Sequence, residues 1–435
     1  MRKSLYINVL QMLHFIHVLY KMAVVTYVPF LSYILQAFLK GGVLYMKTNV
    51  AVFFGGKSVE HEISVITAYQ AFLQLDKEKY HAVPVYISGG GEWYGGENIL
   101  SLKEFEKGGI ERRFKRVFMA AGSSVLYAVK KADKKITPLV KIDAALLCMH
   151  GVNGEDGSLA GFLQLCGVPC TACGMFAAGA AMDKAASKLV FKAAGLKTLK
   201  YNWFYGAAYK ESPLEIIEKA EKEIGYPAIV KPSNLGSSIG VSVCNDREEL
   251  QRAVETAAAF DIKIIIERAL TDFYEINCSA LGFQDDVRVS ECEMPIPWKQ
   301  FLSFDDKYTG QGNKAGMENC RRQFPADIPK KLSDKIKGMT RKAFEALGCK
   351  GVVRTDYLVD KKTDNVYINE VNTIPGSLSF YLWEPEGLSF TALLDRLLNI
   401  AVDEHKLKNE LVYAYKSDVI KAAAKNLSGA KTIKL

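Results

Sequence analysis

The stretch Gly351–Gly376, GVVRTDYLVDKKTDNVYINEVNTIPG, decides how the rest of the chain is read. Two runs in it have strand character, Val352 to Asp360 and Val366 to Asn372, joined by Lys361-Lys362-Thr363-Asp364-Asn365. Successive side chains of a strand point to opposite faces. Arg354 and Asp356 therefore share one face of the first run, and Glu370 and Asn372 share one face of the second. If the connection closes a hairpin, Asp356 lies opposite Glu370 and Arg354 opposite Asn372. Two carboxylates facing each other across a sheet repel. The pairing makes sense around a hard divalent cation, since magnesium takes carboxylate and carbonyl oxygens together with substrate phosphates. The plainer alternative is a solvated hairpin with a wet polar face. Against it, Val352, Leu358, Val366 and Ile368 make both faces apolar at the ends, which describes a buried sheet with a charged centre.

Working outward, 435 residues suit two or three domains with a large core. A hydrophobic content of 49% with 24% charged residues is that of an ordinary globular protein. The net charge of +8 raises nucleic-acid binding, but much of the surplus lies between His405 and Leu435, where seven Lys face only Glu410 and Asp418. No basic stripe with interleaved aromatics occurs in the body, so no nucleic-acid partner is expected. Nine Cys without a disulfide-like framework suggest a reducing compartment. Cys166, Cys170 and Cys173 approach a metal spacing, but no fourth ligand or nearby His completes it.

Residues 1–45 are apolar with scattered Arg and Lys, and Met22 to Phe38 approaches the length of a membrane span. A small-residue cleavage signature is lacking, so a removed signal peptide fits poorly. A membrane anchor, an amphipathic surface helix, or upstream sequence ahead of a start at Met46 remain. The last fits best, because the first well-formed element follows Met46 directly. Membrane association is expected only if residues 1–45 are part of the protein.

From Asn49 the chain alternates strands and helices. Asn49 to Phe54 is a strand, followed by Gly55-Gly56-Lys57-Ser58-Val59-Glu60-His61-Glu62 and a helix to about Leu75 with Ser58 as its N-cap. Glu60 stands where it could take a ligand's ammonium group, or it is a first-turn acid that favours the helix dipole. Ala144 to Met149 runs into His150-Gly151-Val152-Asn153-Gly154-Glu155-Asp156-Gly157, polar residues crowding a strand's carboxyl end, where sites of such units lie. Asp183 to Ala194 is a helix closed by Gly195, with Lys184 in the first turn. A cation there is disfavoured by the dipole unless it meets an anion. Between the strands Tyr226 to Lys231 and Val241 to Cys244 lies Pro232-Ser233-Asn234-Leu235-Gly236-Ser237-Ser238-Ile239-Gly240. Small residues let successive N–H groups close on phosphate oxygens, with Lys231 at the base; this is no Walker loop. Lys263 to Glu267 and Tyr274-Glu275 place acids at strand ends. Ser303 to Gly316 reads as a lid carrying Lys307 and Tyr308, and Ser333 to Leu347 as a helix stopped by Gly348.

Taken together, these residues resemble the D-alanine–D-alanine ligases of the ATP-grasp superfamily, over roughly Met46 to Glu404. Five separated signatures carry the resemblance in order. They are Gly55-Gly56-x-Ser58-x-Glu60-His61-Glu62-x-Ser64, His150-Gly151 with Gly154-Glu155-Asp156-Gly157, Met182-Asp183-Lys184, Lys231-Pro232-Ser233 with Gly236-Ser237-Ser238, and Arg354-x-Asp356 with Asn369-Glu370-x-Asn372. The resemblance implies a mixed α/β and α+β chain: a three-domain ATP-grasp ligase with an N-terminal Rossmann-like α/β domain. The expected limits are an N-terminal domain over 46–172, a central subdomain over 173–267, a catalytic domain over 268–404 and a basic helical tail over 405–435. It implies a cytoplasmic, homodimeric enzyme that joins two D-alanines for peptidoglycan through an acyl phosphate, releasing ADP and phosphate.

By the same analogy Lys184 and Lys231 hold phosphates with Gly236, Ser237, Ser238 and Lys307, Glu267 takes the adenine end and Glu275 the ribose. Asp356, Glu370 and Asn372 ligate two Mg2+ or Mn2+ ions. Glu60 takes the ammonium of the first D-alanine, and Glu60, Ser237 and Tyr308 form a hydrogen-bonded set. His150 and Glu155 complete the substrate pocket, while Arg354 and the backbone N–H of Gly376 face the oxyanion. The family has a Ser five residues beyond that Gly, on the carboxylate of the second substrate; here Tyr381 stands there, so either Ser379 or Tyr381 holds it or the acceptor differs. Tyr308 argues against D-lactate. An acceptor such as D-serine is the alternative within the class, and an ATP-binding pseudoenzyme the alternative outside it.

Overall fold

A computed structural model describes residues 47–96, 98–130, 135–296, 322–413, 417–421 and 423–424. The extension before Lys47, the segment with Lys307 and Tyr308, and much of the basic tail lie outside the described residues. Two compact units divide the chain, Met1–Thr48 and Asn49–Leu435; the architecture below belongs to the second, save the first residue of its first strand.

Strands β1 (Thr48–Gly55), β2 (Tyr80–Ile87), β3 (Trp93–Gly95), β4 (Lys115–Ala120), β5 (Ser123–Val129), β6 (Ile136–Lys141) and β7 (Ala144–Leu147) form one sheet in the order β6-β5-β4-β3-β2-β1-β7. Val50 to Phe54 have no solvent exposure at all, as expected of a strand covered on both faces. β1 and β7 pair in parallel, so both deliver their following loops to the same edge. After β1 comes helix α1 (His61–Gln74), and after β7 helix α2 (Ser158–Leu165). One expectation needs correction: Ser58 is not the cap of α1. Glu60 holds the N-cap position, and the Ser58 hydroxyl accepts the Glu60 N–H at 3.1 Å, closing the turn before the helix. That leaves the Glu60 side chain free to point away from the helix end.

Helices α3 (Met175–Met182) and α4 (Lys184–Ala193) come next. Asp183 caps α4 by accepting the N–H groups of Ala185 and Ala186, each at 3.0 Å, and Gly195 ends this stretch at φ +67°. A second, antiparallel sheet comprises β8 (Tyr201–Tyr205), β9 (Ala228–Pro232), β10 (Ser242–Cys244) and β11 (Lys263–Arg268), ordered β10-β9-β11-β8. Helices α5 (Pro213–Glu223) and α6 (Arg247–Ala258) bury Ile217, Ala220, Leu250 and Val254 in the same core as that sheet.

The third sheet contains β12 (Phe273–Phe283), β13 (Asp286–Val289), β16 (Gly351–Asp360) and β17 (Val366–Asn372), ordered β13-β12-β16-β17. Before β16, a short ribbon pairs β14 (Met294–Pro295) with β15 (Arg322–Gln323), and helix α7 (Lys330–Leu347) ends at Gly348 with φ +67°. Residues of α3, α4 and α7 share the core of this third sheet. Helix α8 (Phe390–Asn409) returns to the first core through Leu393, Leu394 and Leu397 and runs unbroken past Glu404. Three apolar cores thus hold three sheets. Among the described residues no helix is long and apolar enough to cross a membrane.

Candidate active site on the third sheet

The opening hairpin forms with the expected register: Arg354 pairs with Asn372 and Asp356 with Glu370. Asp360 holds the turn by accepting the N–H groups of Lys362 and Thr363 at 2.8 and 3.1 Å. The pairing then jumps from Asp356–Glu370 to Tyr357–Ile368, leaving Asn369 as a bulge that re-aims its side chain and carbonyl. The bulge has a use. Lys231 Nζ reaches Asn369 Oδ1 and Lys188 Nζ reaches the Asn369 carbonyl, both at 3.4 Å.

Those two lysines converge on Glu267, with Lys188 Nζ 3.0 Å from Oε2 and Lys231 Nζ 3.2 Å from Oε1. Lys188 and Glu267 are each only 1% exposed. Burial pushes the Glu267 carboxyl up, but the two ammonium groups outweigh it and hold it below the usual carboxylate range. Burial dominates at Lys188 and pushes its ammonium below the usual lysine range. Sequence reading missed Lys188. Its one signal was the spacing of four from Lys184, which puts both on one helix face. Lys184 itself donates to the Leu235 carbonyl at 2.8 Å and finds one anion, Glu370 Oε2, at 3.4 Å.

In the small-residue loop, Ser237 and Ser238 adopt φ +57° and +58°, a left-handed geometry that turns successive N–H groups inward. The Ser237 hydroxyl donates a short hydrogen bond to Glu60 Oε1, joining two of the three expected members of that set; Tyr308 lies outside the described residues. Glu60 is 6% exposed, yet its Oε2 has no partner. A Cβ on Gly151, at φ +72°, would lie 2.8 Å from this oxygen, and one on Gly236 would lie 3.0 Å from it. Gly151 is required by its φ and by this contact, and at Gly236 a side chain would press on the carboxylate end.

His150 uses both ring nitrogens within the protein: Nδ1 donates to the Ile374 carbonyl at 2.8 Å and Nε2 accepts from the Thr67 hydroxyl at 2.8 Å. Burial holds it below the usual histidine range, which suits a neutral ring with this pattern. The Thr67 oxygen in turn accepts the Ser377 N–H at 3.2 Å. Glu155 accepts the N–H groups of Gly151 at 2.9 Å and Ile374 at 3.3 Å; burial, then the charge of Glu60, push its carboxyl up to about 8. Both side chains therefore fix the turn that carries Gly376. That turn is unusual: Ser377, Leu378 and Ser379 all have φ of 51° to 52°, where non-glycine residues are strained by about 1–3 kcal/mol each.

Arg354 grips Asp356 with both forks, Nε to Oδ1 at 2.7 Å and Nη2 to Oδ2 at 2.8 Å, while Asn372 Nδ2 donates to Oδ2 at 3.0 Å. The Ser379 hydroxyl is buried without a hydrogen-bond partner, and the Tyr381 hydroxyl is buried beside Arg354.

Two adjoining cavities result. Glu60, His150, Glu155, Arg354, Asn372 and Gly376 line one; Lys231, Ser238, Glu267, Phe273 and Glu275 line the other; Lys184, Gly236, Ser237 and Glu370 line both. Asp356, Ser379 and Tyr381 line neither, Asp356 because Arg354 and Asn372 engage its oxygens; Tyr381 faces a third crevice with Arg322.

A cleft with paired lysines and a small-residue loop over one sheet, and carboxylates on the next, defines the class: an ATP-grasp enzyme. The family models described as D-ala D-ala ligase N-terminus and D-ala D-ala ligase C-terminus match residues 49–173 and 190–399, and the chain belongs to that family. The D-alanine--D-alanine ligase of Thermosipho melanesiensis is 38% identical over 83% of this chain and 95% of its own length. That of Chlorobium chlorochromatii is 37% identical over 82% and 98%. Among solved structures, the VanG D-Ala:D-Ser ligase from Enterococcus faecalis is 28% identical and covers 82% of this chain and all of its own, with TM-score 0.68.

Proposed function

We propose that this chain is an ATP-dependent D-alanine:D-alanine ligase of cell-wall synthesis. The observation that carries the reading is Glu60. A buried carboxylate oxygen without a partner, closed in by two glycine loops and two shared sides of one cleft, suits the ammonium of a small amino acid. ATP is read in the neighbouring cavity, with Lys184, Lys231 and the Ser237–Ser238 loop toward its phosphates, Glu275 toward the ribose and Glu267 at the adenine end.

The donor types suit a magnesium or manganese pair, with Glu370 and Asn372 lining the cleft and Asp356 held beside them by Arg354. Asp356 and Glu370 face each other beside Asn372, and among the described residues no three His, Cys, Asp or Glu side chains could hold an ion alone. Magnesium matches that, because it is bound through one or two carboxylates plus phosphate oxygens. When bound, the ions would neutralise phosphate charge during transfer.

The first D-alanine binds through its ammonium to Glu60, which leaves its carboxylate toward Lys184 and the phosphates. A carboxylate oxygen attacks the γ-phosphorus, the bond to ADP breaks, and an acyl phosphate forms; this step is positioning and electrostatics. The amine of the second D-alanine, having lost a proton, attacks the acyl carbon. Arg354 and the Gly376 N–H stabilise the resulting oxyanion, and collapse expels phosphate. His150, Thr67 and Glu155 hold the Gly376 turn still.

We read the three cores as three domains with limits near 172 and 267, and the enzyme as a cytoplasmic homodimer; the buried free thiols of Cys148, Cys244 and Cys278 suit a reducing compartment. The mechanism is tested with D-alanine labelled with heavy oxygen in its carboxylate. One label is expected in the released phosphate; unlabelled phosphate would rule out the acyl phosphate.

A further inference from the structure

The ligase reading leaves Lys188 without a task. Of Lys184, Lys188 and Lys231 it is the most deeply buried, its side chain 1% exposed against 11% for each of the others. It sits on α4, one turn after Lys184, and does not line the nucleotide cavity. A buried ammonium is costly unless it is paired. Its partners come from two other elements: Glu267 of β11, with Oε2 at 3.0 Å, and the Asn369 carbonyl in the β17 bulge, at 3.4 Å. Lys231 of β9 closes the ring from the other side, 3.2 Å from Glu267 Oε1 and 3.4 Å from Asn369 Oδ1.

Glu267 is the member of this ring that Lys188 can act through. It lines the nucleotide cavity together with Leu199, Ile229, Leu270, Phe273 and Leu358, whose apolar side chains suit the flat faces of a base. Lys231 pairs with Ile265, and Glu267 follows two residues on, on the same face of the sheet. Its Oε2 meets Lys188 as an ion pair and accepts no hydrogen bond. The two ammonium groups outweigh burial and keep the carboxyl ionised, and an ionised carboxylate can only accept. Glu267 therefore offers a base an acceptor and no donor.

We propose that Lys188 is a positioning residue that sets base selection: by fixing Glu267 as an oriented, charged acceptor, it makes the site take adenine and refuse hypoxanthine. The proposal rests on the ligase reading above and deepens it at the nucleotide. Adenine presents an amino donor where hypoxanthine, like guanine, presents a carbonyl acceptor. Against a carboxylate fixed in place and in charge, the amino group gains a hydrogen bond, whereas the carbonyl meets a like partial charge. Lys188 touches no substrate and works through Glu267. Without it, the carboxyl loses one of the two contacts that orient it and one of the two charges that keep it ionised. A carboxyl that turns away no longer repels the carbonyl, and one that takes up a proton donates to it.

The test offers equal amounts of ATP and inosine triphosphate in one reaction with magnesium and D-alanine, and measures ADP against inosine diphosphate with dipeptide recorded alongside. Competition in one tube cancels the amount of folded protein, so a merely structural role for Lys188 leaves the ratio alone. The unaltered protein is expected to favour ATP, and Lys188→Met to cut that preference about tenfold, the scale of one hydrogen bond to a charged group. Lys188→Arg keeps the charge and should retain most of the preference. In a Glu267→Gln background Lys188→Met should move the ratio no further, because it acts through that carboxylate. If Lys188→Met does not fold, Lys188→Gln supplies a neutral side chain and should show the same loss. A ratio unchanged by the neutral substitutions overturns the proposal while the ligase reading stands, and so does an unaltered protein that takes both nucleotides equally. Nucleoside diphosphate released by the unaltered protein without dipeptide overturns the ligase reading itself.

Discussion

The nucleotide side of the cleft and the amino-acid side differ in how their buried polar groups are paired. On the nucleotide side Glu267 is shared by Lys188 and Lys231, and Lys184 is held by Leu235 O and Glu370. On the amino-acid side Glu60 Oε2 and the Ser379 hydroxyl are buried with nothing to bond, beside a turn of three left-handed residues. The nucleotide side is a preassembled charge lattice. The amino-acid side carries strain and open valences that a substrate would satisfy. A ligase that must exclude water from an acyl phosphate gains from this split, because the second half is complete only when both amino acids are seated.

The largest expected effect comes from the β16–β17 hairpin. Glu370→Ala removes the proposed metal donor and the partner of Lys184, and Arg354→Met removes the proposed oxyanion donor. For Arg354→Met the turnover rate should fall about 100- to 1000-fold with KM for ATP little changed; Glu370→Ala should abolish ADP release. Steady-state kinetics separates the two, and unchanged ADP release by Glu370→Ala would remove the metal assignment.

Next is the lattice itself. Lys188→Met leaves Glu267 buried with a single lysine, and breaking a buried pair typically costs about 3–5 kcal/mol. Denaturant unfolding should show a loss of that order, and the double variant with Glu267→Gln should be less damaged than the sum of the two. Strict additivity would mean that Lys188 and Glu267 do not act as a unit.

A smaller, pH-dependent effect belongs to Glu155. Its folded carboxyl titrates near 8 while the unfolded group titrates at the ordinary 4.5. The raised value means the contribution is fully present below the unfolded value and is lost as pH rises through the folded one. Stability of the unaltered protein should therefore decline from about pH 5 to about pH 8, and Glu155→Gln should flatten that decline in urea midpoints. An equal slope in both proteins would place the pH dependence elsewhere. The smallest effect is remote from the cleft. Asp246 caps α6 by accepting the Glu249 N–H at 2.9 Å, and Asp246→Ala should cost about 1 kcal/mol without changing kinetics.

Sequence alone made much of the nucleotide side legible. The alternation around Arg354, Asp356, Glu370 and Asn372 was enough to give the register, and the small residues after Lys231 marked a loop. Lys188 stayed hidden because its meaning lies in partners far along the chain, Glu267 and Asn369. Nothing local distinguishes a buried lysine on an amphipathic helix from a solvated one. The Asn369 bulge was equally silent, since an extra residue in a strand leaves composition unchanged. At the turn after Gly376 no residue signals a left-handed conformation: Ser377 is held by Thr67 and Gln70, and Ile374 before it by His150. Ser58 was read as a helix cap from a sound rule, but Glu60 takes that position and keeps its carboxylate for the cleft.

The most direct test incubates the protein with ATP, magnesium and D-alanine as the sole amino acid, and counts ADP and dipeptide together. The account predicts one D-alanyl-D-alanine for each ADP released. ADP accumulating without dipeptide, or only after another amine is added, would contradict it.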